Sequence, residues 1–304
     1  MAVHFHVLAS GSSGNCCLLD LDGYGVLLDL GLGPRKLAGR LEATPRLWDR
    51  VRAALLTHVH GDHWKENTLK QFLKRRITLY CHTEHARSLR QWSGAFAALA
   101  DAGQVSPYEI GMPFLLGAGC RCEPVALSHD GGVTCGFRIE GAHDLLGDCW
   151  ALAYAADLGC WDGALAGRLA DVDLLALEFN HDVAMQYESR RPDMLIRRVL
   201  SDQGHLSNVQ AAALVTEVLR QSSPGRLRHL VQLHLSQECN LPELATRAAH
   251  QALQDAPSAV QVHTARPHAA GPRICLDGAV RRRRDAPRVR RRYQMASLFP
   301  DPGV

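Results

Sequence analysis

Long apolar runs are missing from this chain of 304 residues. None reaches the roughly 20 residues needed to span a bilayer, so no membrane-spanning helix is expected. The opening MAVHFHVLASGSSGN has no basic region followed by a long apolar stretch, so it does not read as a signal peptide and reads instead as a first strand entering a glycine turn. A strong charge imbalance is missing too. The 34 Lys and Arg against 31 Asp and Glu leave a formal charge of +3, too small by itself to mark a nucleic-acid binder. Regular cysteine spacing is also missing: ten cysteines are scattered irregularly, with Cys16-Cys17 and Cys120-x-Cys122 the only close sets. A chain this long does not need disulfide staples, so they are expected to be reduced thiols in a cytoplasmic protein. No internal repeat is visible. With 46% hydrophobic and 21% charged residues the composition is that of an ordinary soluble globular protein. One large domain over 1–280 is expected, followed at 281–304 by a basic tail, with runs at Arg281–Arg284 and Arg290–Arg292, expected to be disordered.

The hydrophobic pattern predicts strands at Val3–Ala9, Cys16–Leu21, Tyr24–Leu30, Ala53–Thr57, Ile77–Cys81, Glu123–Leu127, Val133–Ile139, Ala151–Ala155, Leu174–Phe179, Leu230–Leu235 and Ala259–His263. Helical periodicity lies between them, at Pro34–Leu41, His63–Arg75, Glu84–Leu99, Arg190–Leu200, Ser207–Leu219 and Pro242–Leu253. Strands interspersed with helices in this way favour two packed sheets with helices outside. Asp22-Gly23, between two strand segments, is a favoured pair for a tight two-residue hairpin.

The chemistry concentrates in Thr57-His58-Val59-His60-Gly61-Asp62-His63, which follows an apolar strand and precedes a helical pattern. Alternate residues of an extended segment point the same way, so His58 and His60 can converge on one cation. Asp62 and His63, at the start of the next helix, can then face a second. Imidazole together with carboxylate suits zinc, manganese or iron better than calcium. A two-metal site needs more donors, and His129, Asp157 and His234 each stand at the end of an apolar run. Taken singly, Asp157 reads equally well as a helix cap and His234 as a core histidine satisfied by backbone.

In order and context these residues resemble the metallo-β-lactamase superfamily, whose signature is HxHxDH followed by separate His, Asp and His ligands. The further elements Gly11-Ser12-Ser13-Gly14-Asn15, Leu28-Asp29-Leu30-Gly31, Ser128-His129-Asp130, Asp157-Leu158-Gly159, Glu178-Phe179-Asn180-His181-Asp182, Gly204-His205-Leu206-Ser207-Asn208 and His234-Leu235-Ser236 make the chain similar to the WalJ/YycJ branch of bacterial metallohydrolases, relatives of ribonuclease Z and of phosphoribosyl cyclic phosphodiesterases. It departs from the pattern at Phe179 and at Glu238-Cys239-Asn240, where a paired asparagine is expected. The resemblance implies an α/β (α+β) chain folded as a four-layer αββα sandwich. It also implies a first metal on His58, His60 and His129, a second on Asp62, His63 and His234, and Asp157 bridging the two divalent ions, zinc or manganese, with iron a further candidate.

Two such cations would lower the pKa of a shared water and supply a bridging hydroxide for in-line attack at phosphorus. Asp62 would orient that hydroxide, and His205 would protonate the leaving alkoxide. The plain alternative for His205 is exposure beside a helix that Ser207 or Asn208 merely caps. Asn180 and His181 are expected at the same rim as phosphate contacts, although an Asx-type turn explains them equally. Ser12 and Asn15, in the glycine loop, and Asn208 complete the substrate candidates. Cys120-x-Cys122 has no second pair at zinc-binding spacing and reads as structural thiols. The leading expectation is a nuclease, DNA exonuclease-like, with nucleic acid as partner and no membrane. The alternatives are a small-molecule cyclic phosphodiesterase and a metal-bound regulatory module without turnover.

Overall fold

The computed structural model describes residues 2–42, 47–142, 149–256, 258–266 and 268–276. The basic segment expected as a tail lies outside them. In the first sheet β1 (Val3–Ala9), β2 (Cys16–Leu21), β3 (Tyr24–Leu28), β4 (Val51–Leu55), β5 (Thr78–His82) and β6 (Val105–Tyr108) lie side by side in chain order. The second sheet orders β7 (Phe114–Leu115), β8 (Arg121–Leu127), β9 (Thr134–Ala142), β10 (Cys149–Ala155), β11 (Leu174–Glu178), β12 (His229–Leu233) and β13 (Gln261–Thr264) in the same way, and β14 (Arg273–Cys275) returns to pair with β1.

Side-chain alternation explains the layers, because neighbouring residues of a strand enter different cores. Leu19, Leu28, Leu55, Leu152 and Tyr154 face inward, where they join Phe5, Phe137 and Trp150 between the two sheets. Leu18, Leu27, Ala54 and Leu56 face the other way, onto Leu37 and Leu41 of the helix Pro34–Leu41 and Leu69 and Phe72 of the helix Glu66–Arg75. Behind the second sheet, Ala151, Ala153 and Leu175 pack on Leu214 and Val218 of the helix Asn208–Gln221 and on Ala245 and Ala249 of the helix Pro242–Ala252. Three cores separate four layers, which is the αββα sandwich. Strands covered on both faces read as nearly continuous apolar runs, as several of these do.

The hairpin at Asp22-Gly23 is present: Leu21 pairs with Tyr24, and both turn residues have positive φ, 54° and 97°, as a two-residue I′ turn requires. Glu84–Leu99 is two helices, Thr83–Trp92 and Gly94–Asp101, because Ser93 adopts an extended backbone and its hydroxyl caps the second by accepting from Phe96 N at 2.9 Å. The helix expected from His63 starts at Glu66, so Asp62 and His63 occupy the turn before it. Strands β6, β7 and β14 and the helices Gly163–Leu169 and Val183–Glu188 go beyond the sequence reading. Cys16, Cys17, Cys81, Cys120, Cys122, Cys135, Cys160 and Cys239 are free thiols. Among the described residues no helix is long and apolar enough to cross a membrane.

One close backbone approach fixes the loop Gly11–Asn15 against the turn after β4. Asn15 N donates to the Asp62 carbonyl at 2.8 Å, and Gly31 N donates to the Asn15 carbonyl at 2.9 Å. A Cβ on Gly31 would stand 1.7 Å from the Asp62 carbonyl oxygen. Gly31→Ala is therefore expected to lower stability by about 1–3 kcal/mol or more through overpacking. Gly39→Ala, in a helix where a Cβ meets nothing within 4 Å, should instead stabilise by up to ~1 kcal/mol. Urea unfolding of the pair checks both signs.

Candidate metal centre

Strands β3, β4 and β5 run parallel to one another, as do β10, β11, β12 and β13. The carboxyl ends of parallel strands gather loops at one edge, where α/β sheets commonly place their ligand sites. His58 follows β4, Asp157 follows β10, Glu178 ends β11 and His234 follows β12, so both sheets deliver donors to the same rim. His129 arrives two residues beyond β8.

The donors fall into overlapping groups whose candidate ligand atoms all lie within 4.8 Å of one another. One is His58, His60 and His129; another is Asp62, His63 and His234; a third joins Asp157 to His58 and His63. Asp157 Oδ2 is 2.7 Å from His63 Nε2 and 3.5 Å from His58 Nε2, while its Oδ1 is 3.1 Å from His234 Nδ1. The structure thus brings together all seven residues singled out as ligands, with Asp157 between the two triads.

Several carboxylates and carbonyls orient these rings from behind. Asp29, fully buried, accepts from His63 Nδ1 at 2.8 Å, from Thr57 N at 2.9 Å and from the Tyr154 hydroxyl at 3.2 Å. His63 is thereby left with Nε2 facing the centre. The Gly204 carbonyl does the same for His129, 2.9 Å from its Nδ1. Glu178, equally buried, lies 2.7 Å from His205 Nδ1 and 3.2 Å from His234 Nδ1, and accepts from Leu158 N and Leu206 N. Such partners fix the tautomer and raise the basicity of a ligand.

The electrostatics are those of an anionic donor set. Burial alone would lower the pKa of His63, yet the Asp29 and Asp157 carboxylates on either side push it up to about 10. Burial likewise opposes the charge on Asp157, but His234 and His63 hold it well below the usual carboxylate range. His58, buried with His63 beside it, is pushed well below its ordinary value. Buried without hydrogen-bond partners are His58 Nε2 and Asp157 Oδ1, and a buried polar atom without a partner costs about 1–3 kcal/mol. A divalent ion meets both demands, since it offers the orphaned atoms a partner and takes the charge that protons otherwise carry. The residues present fit zinc, manganese or iron.

The remaining candidates divide. His205 lines a cleft of about 630 Å³ together with Ser12, Asn180, Arg190, Arg191 and Arg198. Asn180 Nδ2 donates to the His234 carbonyl at 2.9 Å. Asn15 is buried and donates to Asp62 Oδ2 at 3.1 Å, holding that carboxylate. Burial also encloses His181, whose pKa falls to about 4, and it does not line the cleft. Asn208 pairs with Asn240, whose amide ties down the Phe179 and Asn180 carbonyls. Ser207 caps the helix behind His205 in a capping box with Gln210. Asp157 caps no helix; Asp162 caps Gly163–Leu169. The three arginines were not singled out in the sequence. Arg198 forms a two-point pair with Asp130, and Arg191 pairs with Glu238 at 2.8 Å.

Residues 24–226 match the Beta-lactamase superfamily domain. The chain belongs to that superfamily. It is 27% identical over 257 residues to exodeoxyribonuclease YycJ of Bacillus anthracis, covering 84% of this chain and 90% of the relative. It is 28% identical over 242 residues to exodeoxyribonuclease WalJ of Streptococcus pneumoniae (strain D39), covering 79% and 84%. Among solved structures it resembles the metallo-β-lactamase fold protein YhfI from Bacillus subtilis, with a TM-score of 0.62 and 15% identity, over 89% of this chain and 99% of that one. It is a hydrolase of the metallo-β-lactamase fold.

Replacing Asp29 by Asn keeps an acceptor for His63 Nδ1 but removes the charge behind it. Affinity for zinc or manganese is expected to fall roughly 10- to 100-fold, the usual cost of losing such a partner. Metal titration by calorimetry checks this, and an unchanged affinity would refute the orienting role.

Proposed function

We propose that this chain is a dinuclear metal-dependent phosphodiesterase that degrades nucleic acid, DNA foremost. The observation that carries the reading is the adjacency of the two donor triads to a cleft whose wall is arginine-rich and into which His205 opens. The superfamily match, and the exodeoxyribonuclease activity in the names of the two relatives, support it. His58, His60 and His129 would hold one ion, Asp62, His63 and His234 the other, and Asp157 would touch both. When bound, two such ions lower the pKa of a shared water and clamp the oxygens of an in-line displacement.

The chain's own groups supply the rest. Asp62, held by Asn15, presents its carboxylate to the centre and orients the attacking water. Arg190 is exposed on the cleft and has no carboxylate partner among the described residues, so it is free to bind phosphate oxygens, and a guanidinium does so with two parallel hydrogen bonds. With Nδ1 of His205 engaged by Glu178, Nε2 is the nitrogen that delivers a proton to the leaving oxygen. The free thiols, buried Cys16, Cys17, Cys81, Cys120, Cys122, Cys135 and Cys239 among them, support a reducing compartment, the cytoplasm, as its location.

Purified protein with manganese or zinc is expected to degrade linear DNA, and EDTA to abolish the reaction. Rapid opening of a five-membered cyclic phosphate by an enzyme inert toward DNA would replace the nuclease reading with a small-molecule one. Asp157→Ala should lower bound metal and turnover together, measured by elemental analysis and DNA cleavage on the same preparation. His205→Ala should keep its metal and slow cleavage by roughly 10²–10⁴-fold. That defect should shrink on a p-nitrophenyl ester, whose leaving group needs no proton; equal losses on both substrates would point to binding or folding instead.

A further inference from the structure

A second cleft, of about 930 Å³, lies across the loop Gly11–Asn15 from the first. Ser12 lines the first and its neighbour Ser13 lines the second, so the loop is the saddle between them. The second wall carries Arg35, Lys36, Lys65, Lys70 and Lys74. Its one carboxylate, Glu66, is taken up by the Ser93 hydroxyl and by Ala95 N at 2.9 Å. None of the five cations has a carboxylate partner among the described residues, and Lys65 Nζ donates to the Gly61 carbonyl.

A scattered solvated face is the usual fate of surface lysines. Here five like charges share one concave wall, and the only carboxylate on that wall is already engaged by Ser93 and Ala95. The helices Pro34–Leu41 and Glu66–Arg75 both begin at this cleft, and neither has a side-chain N-cap, so their first-turn N–H groups add to the positive field. The floor is one step from the metal centre: Gly31, which lines the cleft, bonds to Asn15, and Asn15 bonds to Asp62. A single small ester bound in the first cleft would leave this wall without an anion.

We propose that the two clefts are halves of one basic track, along which a single polynucleotide strand crosses the loop Gly11–Asn15. The scissile phosphate lies on the His205 side and the following phosphates lie along Arg35, Lys36, Lys70 and Lys74. This inference rests on the phosphodiesterase reading and adds the polymeric nature and path of the substrate. It predicts that capture depends on strand length while chemistry does not.

The test uses the full chain loaded with manganese and the triple variant Lys36→Gln, Lys70→Gln, Lys74→Gln, which touches none of the metal donors. Fluorescence anisotropy with a labelled single-stranded DNA of about 25 nucleotides, made with cleavage-resistant phosphorothioate linkages, should show binding weakened at least about 10-fold at low salt. The slope of log Kd against log salt should fall by about 2, the release expected for three lost contacts to a single strand. A DNA of about 5 nucleotides should lose much less, and hydrolysis of bis(p-nitrophenyl) phosphate should be unchanged. Removing three exposed cations outside the lining, by Arg87→Gln, Arg220→Gln and Arg247→Gln, should leave the slope as it is. An unchanged slope in the first variant, an equal drop in the second, or no binding of DNA by the unaltered chain overturns the track. Because binding is read without turnover, a slope that falls as expected in a protein that cleaves neither substrate upholds the track and sinks the phosphodiesterase reading.

Discussion

Asp157 is the carboxylate on which the site depends: it is 2% exposed and placed where both sheets end, within 3.5 Å of His58, His63 and His234. Moving a carboxylate out of water costs several kcal/mol even after relaxation, and that cost is offset only where opposite charge and hydrogen bonds surround it. Here the imidazoles provide the opposite charge when protonated, and a divalent ion provides it when they are not. Asp29 and Glu178 repeat the arrangement one layer out, each buried and each facing an imidazole Nδ1. The interior of this rim therefore holds more negative charge than its own side chains neutralise. A core assembled for stability alone would fill the same volume with leucine, as the three apolar cores on either side do.

The exterior has the reverse sign. Arg190, Arg191 and Arg198 border one cleft and five further cations border the other, so the anionic donor set is ringed by positive potential. The exposed ion pairs among them, such as Arg191 with Glu238, are each worth about 0.2–1 kcal/mol and do little for stability. Their consequence is electrostatic: the formal charge of the chain is only +3, yet eight cations line two concave surfaces. An approaching polyanion senses that local field, over distances of about a Debye length, more than the net charge.

Much of this was legible in the residue order. Three histidines and an aspartate in six residues after an apolar strand mark a candidate metal site because no packing role requires that density, and His129, Asp157 and His234 stand at strand ends in the sequence as they do in space. Asp29 and Glu178 gave no comparable signal as individual residues, since a single acid after Leu28 or within Leu174–Phe179 looks like any strand terminus until its partners, 34 and 27 positions away, are placed. The break at Ser93 was hidden because helical periodicity continues through Gly94 into Phe96 and Leu99, and only the cap hydrogen bond to Phe96 N shows that two helices share the pattern. The basic clefts were invisible for a different reason. Arg35, Lys70 and Arg198 are scattered along the chain, and only the fold collects the cations on concave walls.

Backbone conformation shows how firmly a donor and a carboxylate that orients another are held. Asp29 and His234 have φ of 61° and 53°, in the left-handed region that costs a side-chain-bearing residue of order 1–3 kcal/mol. Each is fixed from several directions. Asp29 N donates to the Leu55 carbonyl at 2.9 Å while its side chain holds Thr57, His63 and Tyr154. His234 N donates to the Ser10 hydroxyl at 2.8 Å, and its carbonyl accepts from Asn180. Ser10 immediately precedes the loop that separates the two basic clefts, and Asn15 at the far end of the loop holds Asp62. Ser10 and this loop thus bear on a donor from each sheet, and the loop forms the saddle that a bound strand would cross, so a shift of the segment would disturb donor geometry and substrate path together.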